Sequence, residues 1–424
     1  MTPAMTDTSV DHRTRRFVDE AELSFDEIVE VVLPAAVAAH GGLAARGIAV
    51  QGVPPLTLVV DGPASSRSLT LAAVGADLGV TVGDGGAPPA GLVAHLAVDA
   101  LSDLVQDVQS PMGLAMTARV RVEGGSIDDW ISWEPVLRAL FEGRPVYEPG
   151  AVELTGADGS PLDLDAVFTL DDATDPRRRR VMAHFLAQAG FLHVRGVFDP
   201  DEMAAVRADI DRGIAAATPD DGESWWATDA DGVDRAVRVL FFDEKSDALR
   251  DLLADPRHTW IGDLTGDGHV HTGGAEGLVK PLGIVRGLSD LPWHKDCGQG
   301  RHAYMCNALT VGISVTGADR RSGALGVIPG SHRANTCSAM RDRRLDLAPR
   351  LLETATGDLT IHCSDTLHRA HPPVERPRHV VYTSWRLPLL AGDVERPDPR
   401  YSRRARAELT DVEDRIDAAA SPSR

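Results

Sequence analysis

Pro292-Trp293-His294-Lys295-Asp296 is the stretch on which the reading of this sequence turns. Of the 15 histidines in the chain, His294 alone has a carboxylate two positions later. In an extended strand residues i and i+2 point to the same face, so His294 and Asp296 can reach one metal ion inside a barrel. About two such tripeptides are expected by chance in a chain this acidic, so the motif needs support from elsewhere.

That support lies downstream, in Gly357-Asp358-Leu359-Thr360-Ile361-His362-Cys363-Ser364-Asp365-Thr366-Leu367-His368-Arg369-Ala370-His371-Pro372-Pro373, followed by Arg376-Pro377-Arg378. Two histidines and one carboxylate on one face leave three coordination positions open, the arrangement used by non-haem Fe(II) oxygenases for a bidentate cosubstrate and O2. His368 and His371 compete for the place of the second histidine, and the two prolines put His371 in a turn. An arginine about ten residues beyond the last ligand would fall on the neighbouring strand, where its planar fork suits the distal carboxylate of 2-oxoglutarate.

Around these motifs the pattern is of short strands separated by Gly and Pro. Leu309 to Val315 alternates, Ala324 to Ile328 stops at Pro329-Gly330, and Val380 to Leu387 closes the series. Upstream, a strand at 191–198 leads into Asp199-Pro200-Asp201-Glu202, an N-cap with Pro at the first helical position and Glu three residues on. The helix it opens, with Met203, Val206, Ile210 and Ile214 on one face, is expected to reach about Ala216. Helices followed by many short strands predict a jelly-roll barrel, a double-stranded β-helix, with flanking helices over residues 176–395.

In these motifs the chain resembles the phytanoyl-CoA dioxygenase family. The resemblance runs from Ala189-Gly190-Phe191 through the 292–296 stretch, Ser322-Gly323-Ala324-Leu325 and Ile328-Pro329-Gly330-Ser331-His332-Arg333, to Thr366-Leu367-His368 and Arg376-Pro377-Arg378. It implies an Fe(II) and 2-oxoglutarate dependent dioxygenase with His294, Asp296 and His368 on iron. It further implies Arg378 as the 2-oxoglutarate clamp, with Arg376 as its rival and Lys280 as a second contact. Halogenating members of the superfamily have a small residue in place of the carboxylate, so Asp296 implies hydroxylation, with O2 consumed and succinate and CO2 released.

Other groups receive plainer readings. His332 belongs to a Pro-Gly turn. Cys297 alternates away from Asp296 as a small buried hydrophobe. His269 and His271 form an H-x-H pair in a Gly-rich loop or lid. The basic run Arg177–Arg180 starts a helix.

The first half reads differently. A helix over 27–45, period-two strands at 56–61, 68–74 and 78–82, a helix capped by Asp99, a strand over 116–122 and a helix opened by Ser132 and Pro135 make an α+β domain over residues 20–147. This order resembles the sterol carrier protein fold, which implies a tunnel for an acyl chain or sterol-like body and points to an apolar or CoA-linked small substrate. Residues 148–175, rich in Gly, Asp and Pro, read as a linker, and 396–424 as a polar tail with a surface helix at 403–416.

Composition narrows the field further. With 63 acidic and 43 basic residues the net charge of -20 disfavours nucleic acid as a partner. Four cysteines without a C-x-x-C pair indicate neither zinc knuckle nor disulfide framework, and a reducing cytoplasm is the expected compartment. No stretch reads as a signal peptide or as 18 uninterrupted apolar residues, so no integral membrane association is expected. A non-catalytic lipid-binding protein on a degenerate oxygenase fold, and a cupin-like metalloenzyme working without 2-oxoglutarate, are the rival readings.

Overall fold

The computed structural model describes residues 21–61, 65–84, 91–297, 308–340, 342, 344–388 and 412–420. Near the N-terminus, Ser24 and Glu27 form a reciprocal capping box that starts helix α1 (Phe25–Gln51). Gly52, at φ 68°, ends it in the left-handed conformation that glycine adopts without steric cost. By length and composition alone α1 could cross a membrane. Here it lies on a sheet, with Ile28, Leu33, Ala44 and Ile48 in the core.

That sheet holds β1 (Leu56–Val60), β2 (Arg67–Val74), β3 (Asp77–Gly83), β4 (Leu92–Leu96) and β5 (Val120–Glu123) in the order β3-β2-β1-β4-β5. The first three pair antiparallel, as their alternation predicts, whereas β4 runs parallel to β1. The sequence reading missed β4 because a strand with neighbours on both sides and four of its five residues buried shows no alternation. α2 (Val98–Val105) follows, with Ala97 rather than Asp99 at its N-cap. Asp99 sits in the first turn and pairs with Arg119 at 2.8 Å.

The strand expected at 116–122 shrinks to β5, because Ser110 caps and Pro111 opens α3 (Pro111–Met116). α4 (Ile127–Ser132) and α5 (Glu134–Glu142) complete this half. Trp130 and Trp133 are fully buried in its core, and their indole N–H groups donate to Pro111 O and Pro54 O.

The second half is a jelly-roll core with helices on one face. Its strands are β6 (Phe168–Thr169), β7 (Phe191–Arg195), β8 (Ser224–Asp229), β9 (Asp234–Val239), β10 (Val270–His271), β11 (Glu276–Lys280), β12 (Ile284–Gly287), β13 (Leu309–Ser314), β14 (Leu325–Val327), β15 (Arg350–Leu352), β16 (Leu359–Cys363), β17 (His368–Ala370) and β18 (Arg378–Arg386). The large sheet has the order β12-β8-β9-β11-β18-β13-β16-β7-β6, with β10 also on β18, and the small one is β15-β14-β17. β8 and β9 were not anticipated from the sequence.

Residues 148–175 contribute β6, which pairs in parallel with β7, and α6 (Leu170–Thr174), so the stretch read as a linker adds an edge to the large sheet. α7 (Pro176–Ala189), capped by Asp175 ahead of the arginine run, and α8 (Pro200–Ala216), opened by the Asp199–Glu202 capping box, follow. Their Met182, Phe185, Met203, Val206 and Ile210 share one hydrophobic cluster with Val311, Ile313, Ile361 and Val381 of the large sheet. Strand alternation turns Thr310, His362, Arg378 and Ser384 to the other face.

A strap and a terminal helix are among the connections between the halves. A strap at 334–338 places Cys337 in the N-terminal core and lays Thr336 and Ser338 against Arg138 and Glu134 of α5. The terminal helix α9 (Val412–Ala419) packs Val412 with Met116, Trp225, Leu240 and Leu288, so the end of the expected polar tail is a docked element. Most of the surface helix expected at 403–416 lies outside the described residues.

Candidate metal centre

His294 and His368 are joined through their backbones. Each N–H donates to the other's carbonyl at 2.9 Å, an isolated antiparallel bridge that brings the two imidazole centroids to 4.1 Å. In both rings Nδ1 is engaged by the carbonyl two residues earlier, Pro292 O at 2.7 Å and Thr366 O at 2.9 Å. This contact sets the tautomer and presents Nε2 as the free donor. Asp296, on the same face as His294, places Oδ1 3.4 Å from His294 Nε2 and 3.3 Å from His368 Nε2.

The three ligand atoms lie within 4.8 Å of one another, and no other group of three His, Cys, Asp or Glu among the described residues does so. The histidines are buried, while a third of the Asp296 side chain is open. Burial opposes the charge on Asp296, but His368 first, and then the close approach of the His294 and His362 rings, outweighs it and holds the carboxyl well below its ordinary range. Burial and the neighbouring His368 push His294 down. A neutral imidazole beside an ionised carboxylate is the protonation state in which such groups bind a divalent cation.

Asp296 Oδ2 has partners of its own. Thr310 Oγ1 donates to it at 2.8 Å, and His362 Nε2 stands 3.4 Å away. Neither residue was singled out as functional in the sequence. The signal was present in Leu359-Thr360-Ile361-His362, a strand alternating apolar and polar, which puts His362 on the barrel's polar face, in register with Thr310.

The two candidate arginines occupy different environments. Arg376 is half exposed and pairs with Asp319 at the surface. Arg378 is 4 % exposed, and its Nε and Nη2 have no partner among the described residues. Opposite it in the β11–β18 ladder is Lys280, 1 % exposed, whose Nζ donates to Ser289 O at 2.6 Å and Asp290 Oδ1 at 2.5 Å. Burial first, and then the charge of Arg378, lowers the Lys280 ammonium to about 8.

The other histidines lie apart from this cluster. His371 packs edge-on against Trp293, with centroids 6.5 Å apart. His332 is in the turn Ser331–Arg333, its Nε2 3.0 Å from Ala187 O. His269 contacts Thr265 Oγ1 at 3.2 Å, and His271 belongs to β10, its ring against those of Trp385 and His258. Cys297 is buried, as expected, but in polar company: its thiol donates to Asp365 Oδ1 at 2.9 Å.

Behind the His294–Asp296 segment lies a buried polar network that reaches α5. Lys295 N donates to Ser338 O at 2.6 Å, and Ser338 N and Oγ donate to Glu134 Oε2 at 3.0 and 2.8 Å. Lys295 Nζ lies 3.9 Å from Asp365, three residues before His368. The side chain between the two candidate ligands of the His-x-Asp motif thus points away from the site and anchors its segment.

A comparison with families adds one match. Residues 186–380 match the model of the phytanoyl-CoA dioxygenase (PhyH) family. The matched region contains all three clustered residues and both arginines. Comparison with curated proteins gives no match.

Among solved structures, the epimerase SnoN in complex with Fe3+, alpha ketoglutarate and nogalamycin RO is 22% identical, with a TM-score of 0.42 over 53% of this chain and 88% of its own. The carbocyclase SnoK from nogalamycin biosynthesis is 19% identical, TM-score 0.43, over 57% and 93%. EctD from S. alaskensis with bound Fe is 18% identical, TM-score 0.43, over 57% and 87%. The His-Asp-His triad of the present chain is consistent with Fe(II), 2-oxoglutarate and O2 as cofactor and cosubstrates.

Proposed function

We propose that this protein is a non-haem Fe(II) and 2-oxoglutarate dependent dioxygenase that hydroxylates a small molecule. The observation that carries the reading is the convergence of His294 Nε2, His368 Nε2 and Asp296 Oδ1 on one point beside an open carboxylate. The donor set suits Fe(II): two imidazoles and one carboxylate on a single face leave room for a chelating 2-oxo acid and O2. When bound, Fe(II) with 2-oxoglutarate and O2 would supply the oxidising power, 2-oxoglutarate and O2 being consumed and succinate and CO2 released.

The chain's own residues hold and orient. His294, Asp296 and His368 fix the ion. Arg378, a buried cation with two unpartnered nitrogens, suits the distal carboxylate of 2-oxoglutarate, and Lys280 beside it adds a second positive charge. Arg376, already paired with Asp319, does not serve this purpose. Because position 296 carries a carboxylate, no coordination place is vacated for a halide, which favours hydroxylation.

For the substrate, the order of elements in the first half supports an apolar or CoA-linked molecule presented by that half. Lipid extraction of the purified protein followed by mass spectrometry tests this part, and an empty protein with no affinity for fluorescent fatty acids overturns it.

The core reading is tested by anaerobic titration of the Fe(II)-loaded protein with 2-oxoglutarate. A visible charge-transfer band is expected in the wild type and is expected to be lost in Asp296→Ala with the fold intact. Normal iron-dependent succinate formation by Asp296→Ala would sink the proposal.

A further inference from the structure

Among the described residues, His362 is a buried side chain that faces this cluster and that the proposed function leaves without a task. It is 1 % exposed, and neither ring nitrogen makes a hydrogen bond of ordinary length among the described residues. A buried polar group left without a close hydrogen bond is costly, so such an imidazole is expected to have something to bind in the working protein. Its ring centroid is 4.2 Å from that of His368, and its Nε2 lies 3.4 Å from Asp296 Oδ2.

Two roles are open to it, ligand or support. His362 stands outside the set of donor atoms lying within 4.8 Å of one another, which argues against a fourth ligand. The carboxylate itself is divided in its loyalties. Oδ1 faces the two ligand Nε2 atoms, whereas Oδ2 accepts from Thr310 Oγ1 and faces His362. The Nε2 to Oδ2 distance is only a few tenths of an ångström longer than an ordinary N–H···O bond.

We infer that His362 is a positioning residue that, with Thr310, holds Oδ2 of Asp296 away from the metal and keeps Asp296 a one-oxygen ligand. The inference rests on the metal reading above and extends it. A carboxylate free to swing would engage through both oxygens and fill one of the three positions that a chelating cosubstrate and O2 require. His362 Nε2–H donates, Oδ2 accepts, and the number of open positions is thereby fixed. Partners of this kind, one step removed from the ion, typically alter metal affinity by about 10–100-fold when removed.

The test uses the full chain and cobalt(II) as a spectroscopic substitute for iron. Wild type, His362→Phe, which keeps the ring volume without N–H, and His362→Gln, which restores a side-chain donor, are titrated anaerobically with Co(II). Affinity, visible d–d spectrum and thermal midpoint are recorded for each. His362→Leu replaces His362→Phe if the latter does not fold.

The expected result is a 10–100-fold loss of Co(II) affinity and an altered d–d spectrum in His362→Phe at an unchanged thermal midpoint of the metal-free protein, with His362→Gln recovering most of both. Wild-type affinity and spectrum in His362→Phe, or equal losses in Phe and Gln variants, overturn the inference while leaving the metal reading in place. Absence of Co(II) and Fe(II) binding in the wild type itself overturns both.

Discussion

Lys280 and Arg378 stand directly opposite one another in the β11–β18 ladder, both buried, and only Lys280 has an acidic partner among the described contacts, Asp290. Two adjacent cations in a low-dielectric wall repel, and Lys280 is lowered accordingly, by burial and then by Arg378. A dianionic ligand would relieve that repulsion. Arg378→Ala is therefore expected to weaken 2-oxoglutarate binding by roughly 10–100-fold, the range of a charge-assisted hydrogen bond. Fe(II) affinity should change little. Isothermal titration with and without iron measures both, and Arg376→Ala serves as the comparison: a larger loss there than in Arg378→Ala would move the clamp to the surface.

Metal binding should also register as stability. The three proposed ligands come from segments 74 residues apart in sequence, His294 and His368, so a bound ion would tie segments that unfolding separates. At free Fe(II) about 100 times its dissociation constant the gain is about 2.7 kcal/mol. Anaerobic thermal scans should show a higher midpoint with Fe(II), reversal by a chelator, and no shift in Asp296→Ala.

Glu134 links the N-terminal half to the His294–Asp296 segment. It is 2 % exposed, pairs with Arg138 on the same helix and accepts both Ser338 donors. Removing one partner of a buried pair strands the other charge, at a cost of about 3–5 kcal/mol. Glu134→Ala should lower the urea midpoint accordingly and loosen Fe(II) binding, because Ser338 O holds Lys295 N between the two ligands. Glu134→Gln, which still accepts from Ser338, should lose less of both.

Acid sensitivity should have a identifiable contributor in His258. Fully buried against His271 and Trp385, it is lowered to about 4 by burial and then by repulsion from His271. Below the ordinary value of 6.5 the unfolded chain takes a proton that the folded one refuses. Stability is thus fully present above pH 6.5 and is lost as pH falls toward 4, by an amount on the order of 3 kcal/mol. Denaturant midpoints between pH 7 and 4 should show this slope, and His258→Phe should flatten it; an unchanged slope would assign the acid limb to other groups.

Much of the site's surroundings was legible in local pattern. The Asp199 capping box gave the helix that ends at Ala216, and period-two alternation gave β13 and most of β18. His294 and Asp296 could be paired because i and i+2 share a face in any strand. His362 could not be given a task in this way, since its significance depends on Thr310 across a ladder and on Asp296 from a third segment. β4 and the strap at 334–338 escaped for a related reason: both are defined by what surrounds them. Cys297 was placed inside correctly, but its acceptor, Asp365, comes from a distant loop that no spacing rule connects to it.

The strap has a consequence for how this chain could have been assembled. Ser338 and Thr336 belong by sequence to the barrel, yet they are satisfied by Glu134 and Arg138. A barrel taken alone would carry that loop with its polar groups facing nothing that matches them, directly against the backbone of Lys295. The barrel half is thus not a portable cassette, and recombination joining it to a different partner would have to bring α5 along or rebuild the loop.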